Sequence, residues 1–162
     1  MNIFVFGTLL SETFRKLVLG RELHSEHICT ASLKNFCVYW AEGGPFPVIV
    51  PQNGTEVHGI VLKDLNEHDI ERLNYYELGF GYVLKEALVE TNDCLQDVFA
   101  YFCKSSDMAS KNLWSFDDWL TKHSEIQYLA TTEFMDFFGT KFGDTAQRMY
   151  NSILKRLSLI HI

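Results

Sequence analysis

Two short stretches carry residue types that could do chemistry together. In the first, Asp64 with Glu67, or Asn66 with Asp69, caps a helix that runs to about Glu77. Along it Ile70, Leu73 and Glu77 stand at i, i+3 and i+7, which places a carboxylate on the apolar stripe. Scarce water and the negative end of the helix dipole both push its pKa upward there, toward the range of a general acid or base. In the second stretch, Ile3-Phe4-Val5-Phe6 stops at Gly7 and leads through Thr8, Leu9 and Leu10 to Ser11. That pattern predicts a buried strand, a sharp turn and a short helix with Ser11 as N-cap. Main-chain N–H groups in such a turn can hold a carboxylate or a developing oxyanion. Plainer readings exist for both. Gly7 suits any strand-to-helix switch, and Glu77 can fray into solvent beside Gly79 or pair with an arginine.

The elements that position these residues follow from the hydrophobic pattern. Phe14, Leu17 and Val18 give a short amphipathic helix that Gly20 stops. Arg21 to Glu42 reads as one or two strands bent near Lys34-Asn35, and Gly43-Gly44-Pro45-Phe46-Pro47 as a loop able to line a cleft. The strand Val48-Ile49-Val50 follows, then a hairpin signal at Gln52-Asn53-Gly54 and a strand from Thr55 to Leu62. After the Glu77 helix, Tyr82 to Thr91 reads as a strand turned by Asn92-Asp93. Asp97 to Cys103, apolar on both faces, reads as a last buried strand, after which the sheet is expected to end. From Ser115 onward the pattern is helical: a short helix flanked by Trp114 and Trp119, a second from Glu125 to Phe138, and a third capped by Asp144 with Gln147 and running through Leu157. The organisation expected is one domain over 1–105 with a helical extension over 106–162 packed on it.

Composition narrows the function. At 162 residues, 47% hydrophobic, with three prolines, the chain can bury a sizeable core. A net charge of −7 and the absence of a Lys/Arg stripe argue against a nucleic-acid partner. No apolar run is long enough for a membrane span, and no secretory leader is recognised, so a cytoplasmic location is expected. Cys29, Cys37, Cys94 and Cys103 lack CxxC spacing and suit reduced thiols. His24, His27 and Cys29 could suggest a metal, but zinc needs three or four convergent ligands and no second cluster is nearby. A cysteine hydrolase using Cys37 or Cys103 lacks a recognisable nucleophile elbow. Gly79-x-Gly81 lacks the third glycine of a dinucleotide loop and precedes a strand. Tyr82 and Tyr101 are candidate phenol donors, although strand tyrosines commonly just pack.

Together these residues resemble the γ-glutamylcyclotransferase-like (AIG2-like) superfamily. Phe6-Gly7-Thr8-Leu9 follows the opening strand where that family carries Tyr-Gly-Thr-Leu. Phe46-Pro47-Val48-Ile49 and Leu73-Asn74-Tyr75-Tyr76-Glu77, with Gly79 and Tyr82 beyond, follow in family order. The resemblance implies an α+β fold, a small mixed twisted β-barrel flanked by helices, with a helical C-terminal extension. It implies cyclisation of a γ-glutamyl amine or γ-glutamyl peptide, releasing 5-oxoproline and a free amine. Glu77 would be the acid/base, and Phe6, Gly7, Thr8, Leu9, Phe46, Pro47 and Tyr82 would contact this small-molecule substrate, with no metal or organic cofactor. The Gly7–Leu9 amides would hold either the substrate's α-carboxylate or the oxyanion. Phe6 in place of tyrosine and Leu78 where the family often has glycine are departures. The Phe6 departure is the main support for a competing reading, a catalytically silent relative that binds a γ-glutamyl-like or other small carboxylate in the same cleft. The leaving amine and the oligomeric state are not encoded in motif spacing.

Overall fold

The computed structural model describes residues 1–78, 80–92, 94–140 and 146–160, with position 78 as backbone. Its opening strand β1 (Ile3–Val5) runs antiparallel to β3 (Gly44–Leu62) and parallel to β5 (Cys94–Cys103), so Phe4 lies between Val61 and Ala100. On the far side of β5, β4 (Tyr82–Thr91) is antiparallel and meets β2 (Ile28–Ala41) at Ser32 and Glu90. Extended antiparallel pairing of β2 with β3 closes a five-stranded mixed barrel. The alternating sides of a strand explain the unbroken apolar run. Phe4 and Phe6 join Leu33, Ile49, Val61 and Val98 inside the barrel, while Ile3 and Val5 face a second core shared with the helices.

The sheet continues past Cys103, against expectation. A sixth strand, β6 (Ala109–Leu113), pairs with β2 at Tyr39 and Ala41, and β2 also receives Trp114 N–H on the Val38 carbonyl at 3.0 Å. Ser110-Lys111-Asn112 is too polar to show a strand period, because an outer edge strand is held by main-chain bonds and faces water. The hairpin expected at Gln52-Asn53-Gly54 is also absent. β3 runs straight through it, and the residues between Pro51 (opposite Phe36) and Glu56 (opposite Lys34) bulge out across Asn35. Asn35 and Gly54 both take left-handed backbone, and the Asn35 carboxamide accepts the Gly54 N–H at 3.2 Å. The chain instead reverses at Glu42-Gly43, and Gly44–Pro47, expected as loop, already belongs to β3 beside a register slip at Trp40.

Helix α1 (Glu12–Leu19) has Ser11 as its N-cap and Gly20 as its left-handed stop. Helix α2 (Glu67–Leu78) is capped reciprocally, with Asp69 N–H on Asn66 at 2.8 Å and Asn66 N–H on Asp69 at 3.0 Å, while Asp64 lies outside it. Arg21 clamps the buried Asp69 with two bonds of 2.9 and 2.6 Å, and Arg72 of α2 donates to the Val18 carbonyl at 2.6 Å. Beyond β6 come α3 (Phe116–Lys122), α4 (Ser124–Met135) and α5 (Ala146–Ile160). Ser115 caps α3 as expected, α4 stops three residues short of Phe138, and α5 continues past Leu157. Gly79, Asp93 and the Asp144 cap lie outside the described residues. Trp119 donates to Gln127 at 3.0 Å and Gln127 to the Pro45 carbonyl at 2.9 Å, tying these helices to the start of β3. Among the described residues no helix is long and apolar enough to cross a membrane.

The barrel's tightest backbone approach is at Gly59, where a Cβ would stand 2.3 Å from the Val5 carbonyl oxygen and 2.8 Å from the Phe4 ring. Gly59→Ala is expected to lower unfolding free energy by about 2–3 kcal/mol through forced separation of β1 from β3. Gly43→Ala, with nothing within 4 Å of the added carbon, should change it by less than about 0.5 kcal/mol. Denaturant titration of the two variants measures both values; equal effects would show that the close approach is not a constraint.

Candidate active site

The turn after β1 and the last turn of α2 meet at one end of the barrel. Gly7 opens a 3-10 turn over Thr8–Leu10, whose carbonyls at Leu9 and Leu10 are held by Arg15 of α1 at 3.1 and 2.9 Å. The amides that open such a turn have no acceptor within it. Gly7 is required by packing, since a Cβ would stand 2.6 Å from Pro47 Cγ. Thr8, itself buried, hydrogen-bonds Tyr76 at 2.7 Å between hydroxyls. Because Tyr76 precedes Glu77, this bond fixes the turn against the helix end that carries the carboxylate.

Glu77 is 7% exposed and faces a cavity lined also by Phe6, Gly7, Thr8, Leu9, Pro47, Tyr82 and Tyr101. Among the described residues none donates a hydrogen bond or an ion pair to its carboxyl group: Arg15 and Arg72 spend their guanidinium bonds on main-chain carbonyls. Burial therefore acts unopposed and pushes the Glu77 pKa up to about 8. Burial also raises the phenols of Tyr76, Tyr82 and Tyr101, and the nearby Glu77 charge raises each further, so all three remain O–H donors at neutral pH. Tyr82 donates to the Pro47 carbonyl, and Tyr101 to Asn74 at 2.6 Å.

Of the residues singled out from the sequence, Glu77, Phe6, Gly7, Thr8, Leu9, Pro47 and Tyr82 come together around this cavity. Phe46 does not. As the neighbour of Pro47 on a strand it points the other way, edge-on to Phe80 at 4.9 Å, into an adjoining cleft. Phe80, Phe4 and Val5 also line the cavity and were not anticipated. Phe80 sits between Gly79 and Gly81, where no periodicity marks a buried ring. Cys103 donates to the Ile49 carbonyl at 3.4 Å and its thiol is pushed up by burial, the opposite of what a nucleophilic cysteine needs. His27 lies 3.6 Å from Glu26 and 3.5 Å from Asp64, in the turn before β2 and apart from the cavity.

The raised pKa has a consequence for stability. A carboxyl near 4.5 when unfolded and near 8 when folded binds its proton more tightly in the native state. Its contribution is therefore complete below about pH 4.5 and is lost as pH rises toward 8. By pH 7 the loss amounts to about 3 kcal/mol. Unfolding curves of Glu77→Gln against pH should lack the decline between pH 5 and 8 that the parent shows; parallel curves would place the carboxylate in water.

Comparison with known proteins follows the same outline. Residues 3–121 match the family model described as gamma-glutamyl cyclotransferase, AIG2-like. AIG2-like protein B of Arabidopsis thaliana is 29% identical over 138 residues, which span 83% of this chain and 78% of that protein. The solution structure of an Arabidopsis thaliana protein superposes with a TM-score of 0.57 at 25% identity, covering 83% of this chain and 90% of the other. A solved gamma-glutamyl cyclotransferase superposes with a TM-score of 0.52 over 95% of this chain and 98% of its own, and at 18% identity it speaks for the fold alone. This barrel, with a buried glutamate facing the turn after its first strand, belongs to the gamma-glutamyl cyclotransferase, AIG2-like family.

Proposed function

We propose that the chain cyclises a γ-glutamyl amine or γ-glutamyl peptide to 5-oxoproline and a free amine, with Glu77 as general acid/base. The observation that carries this reading is the unpartnered Glu77 carboxyl, buried opposite the turn of Gly7, Thr8 and Leu9 with its pKa pushed to about 8. A carboxylate poised there takes a proton easily from a neighbouring ammonium and gives it back as easily.

The substrate carries both reacting groups. Glu77 takes a proton from the α-ammonium, and the freed nitrogen attacks the γ-carbonyl carbon to form the lactam C–N bond. The tetrahedral oxyanion then collapses, the bond to the departing nitrogen breaks as Glu77 returns the proton to that nitrogen, and the second proton lost by the ring nitrogen passes to the freed amine, which leaves as an ammonium. Ring closure gains most from holding nitrogen and carbonyl in contact, which a tight apolar cavity does by excluding other conformers. The amides of Gly7 to Leu9 hold the α-carboxylate or the oxyanion. Phe6 and Pro47 press on the glutamyl methylenes, and the Tyr82 bond to the Pro47 carbonyl keeps that wall in place. No step calls for a metal or an organic cofactor.

Incubation of the purified chain with a panel of γ-glutamyl amines and γ-glutamyl amino acids is expected to release 5-oxoproline. Glu77→Gln should lower kcat/KM by about 10²–10⁴-fold while the fold is kept. For the parent, kcat/KM should rise with pH and level off above about 8, the pKa of the free enzyme's carboxyl group. Equal turnover by the Gln variant would remove Glu77 from the chemistry. Ligand binding without turnover across the panel would instead favour the silent relative that the Phe6 departure suggests.

A further inference from the structure

An anion held against the turn after β1 meets no countercharge inside the cavity. Among the described residues no arginine or lysine lines it, and the chain as a whole carries −7. The turn nevertheless has a cation behind it. Arg15 of α1, half-buried, donates from Nη1 to the Leu9 carbonyl at 3.1 Å and to the Leu10 carbonyl at 2.9 Å. Each of these carbonyls belongs to a peptide group whose own N–H is bonded within the turn: Leu10 N–H donates to the Gly7 carbonyl at 3.0 Å, and Ser11 N–H to the Thr8 carbonyl at 3.1 Å. The peptide groups that accept those bonds carry, on their far sides, the N–H of Thr8 and the N–H of Leu9. Two parallel relays result. One runs from Arg15 through the Leu9–Leu10 and Gly7–Thr8 peptides, the other from Arg15 through the Leu10–Ser11 and Thr8–Leu9 peptides. They end on the amides that open the turn, which have no acceptor within it, and Gly7, Thr8 and Leu9 line the cavity together with Glu77.

A bond from a charged donor polarises the peptide group that accepts it, and the next bond in line carries the polarisation onward. The Thr8 and Leu9 N–H groups are thereby stronger donors than the amides of an ordinary turn, and the guanidinium charge acts across the turn without entering the cavity. Its place behind the turn matters. A guanidinium inside the cavity would pair with Glu77 and hold it as a carboxylate, whereas one behind the turn favours an anion at the amides and leaves the carboxyl group unpartnered. Both carbonyls on one nitrogen also fix the planes of their peptide groups. Arg72, by contrast, grips Leu17 and Val18 at the other end of α1, away from the turn. We propose that Arg15 is a positioning residue for the cyclisation, acting through these two relays on the anionic oxygen, α-carboxylate or oxyanion, that the Thr8 and Leu9 amides receive. The proposal rests on the cyclisation reading above and adds to it a residue outside the cavity.

Three variants test it. Arg15→Met removes the charge and both relays, Arg15→Lys keeps the charge without the planar fork, and Lys16→Met makes the same charge change one residue away, on an exposed side chain paired with Glu22 at 3.2 Å. Rates are compared per folded molecule on the best substrate of the γ-glutamyl panel, with 5-oxoproline and pyrrolidinone, the same lactam ring without the carboxylate, as inhibitors. Arg15→Met should lower kcat/KM by about tenfold, the effect of one charge acting across the turn at the effective dielectric of a protein. Arg15→Lys should lose about threefold, and Lys16→Met less than about twofold. A loss carried by KM, with weaker inhibition by 5-oxoproline and unchanged inhibition by pyrrolidinone, would support the proposal and identify the anion as the α-carboxylate. A loss carried by kcat, with both inhibitors unchanged, would support it and identify the oxyanion. An Arg15→Met rate no lower than that of Lys16→Met, or equal losses in Arg15→Met and Arg15→Lys, would overturn the proposal while turnover by the parent upholds cyclisation. No 5-oxoproline from the parent would overturn both.

Discussion

A carboxyl group kept from water with no partner among the described residues is the constraint around which this molecule is arranged. An isolated carboxylate in such a place is costly, and the chain meets that cost by letting Glu77 hold its proton up to about pH 8. Everything nearby maintains the condition. The aromatic rings of Phe6, Phe80, Tyr82 and Tyr101 exclude solvent, and two arginines on the flanking helices, Arg15 of α1 and Arg72 of α2, are committed to main-chain carbonyls of the first turn and first helix. Had either guanidinium reached Glu77, the pKa would fall and the group would be a structural ion pair.

Position is maintained by contacts that cross long stretches of chain. Thr8 meets Tyr76, Gly7 leaves room for Pro47, and Pro47 in turn takes the Tyr82 hydroxyl on its carbonyl. The turn after β1, the end of α2, the start of β3 and the start of β4 are thereby locked to one another around the cavity. Helix α2 is itself gripped at its start by Arg21 on Asp69 and at its end by Tyr75, which stacks on Phe134 at 4.4 Å. The C-terminal helices thus bear on the site through α2, and Gln127 bears on it through Pro45.

How much could be read without coordinates depended on whether a local pattern carried the information. The apolar run of Ile3 to Phe6, the Asn66–Asp69 cap and the stripe from Leu73 to Glu77 are local, and all three were legible. The strand Ala109–Leu113 was not, since an exposed edge strand needs only main-chain partners and its side chains need obey no period. Asn-Gly at 53–54 was misleading. The left-handed residue that usually turns a hairpin serves here in a bulge, because Asn35 on the facing strand is left-handed too and both strands bend together. Phe46 was grouped with Pro47 by adjacency in sequence, yet the pleat sends the two to opposite sides of a wall.

The sequence by itself determined the family pattern, the strand–turn–helix start, and that a carboxylate would lie on the buried side of α2, because each of these depends on spacing within a few residues. Only the tertiary structure decided that no cation among the described residues reaches Glu77, that Tyr76 ties it to Thr8, and that an outer cleft walled by α5 adjoins it. Those facts depend on which surfaces meet when the barrel closes, and closure brings together residues more than sixty positions apart, such as Thr8 and Tyr76, whose distance no local spacing records.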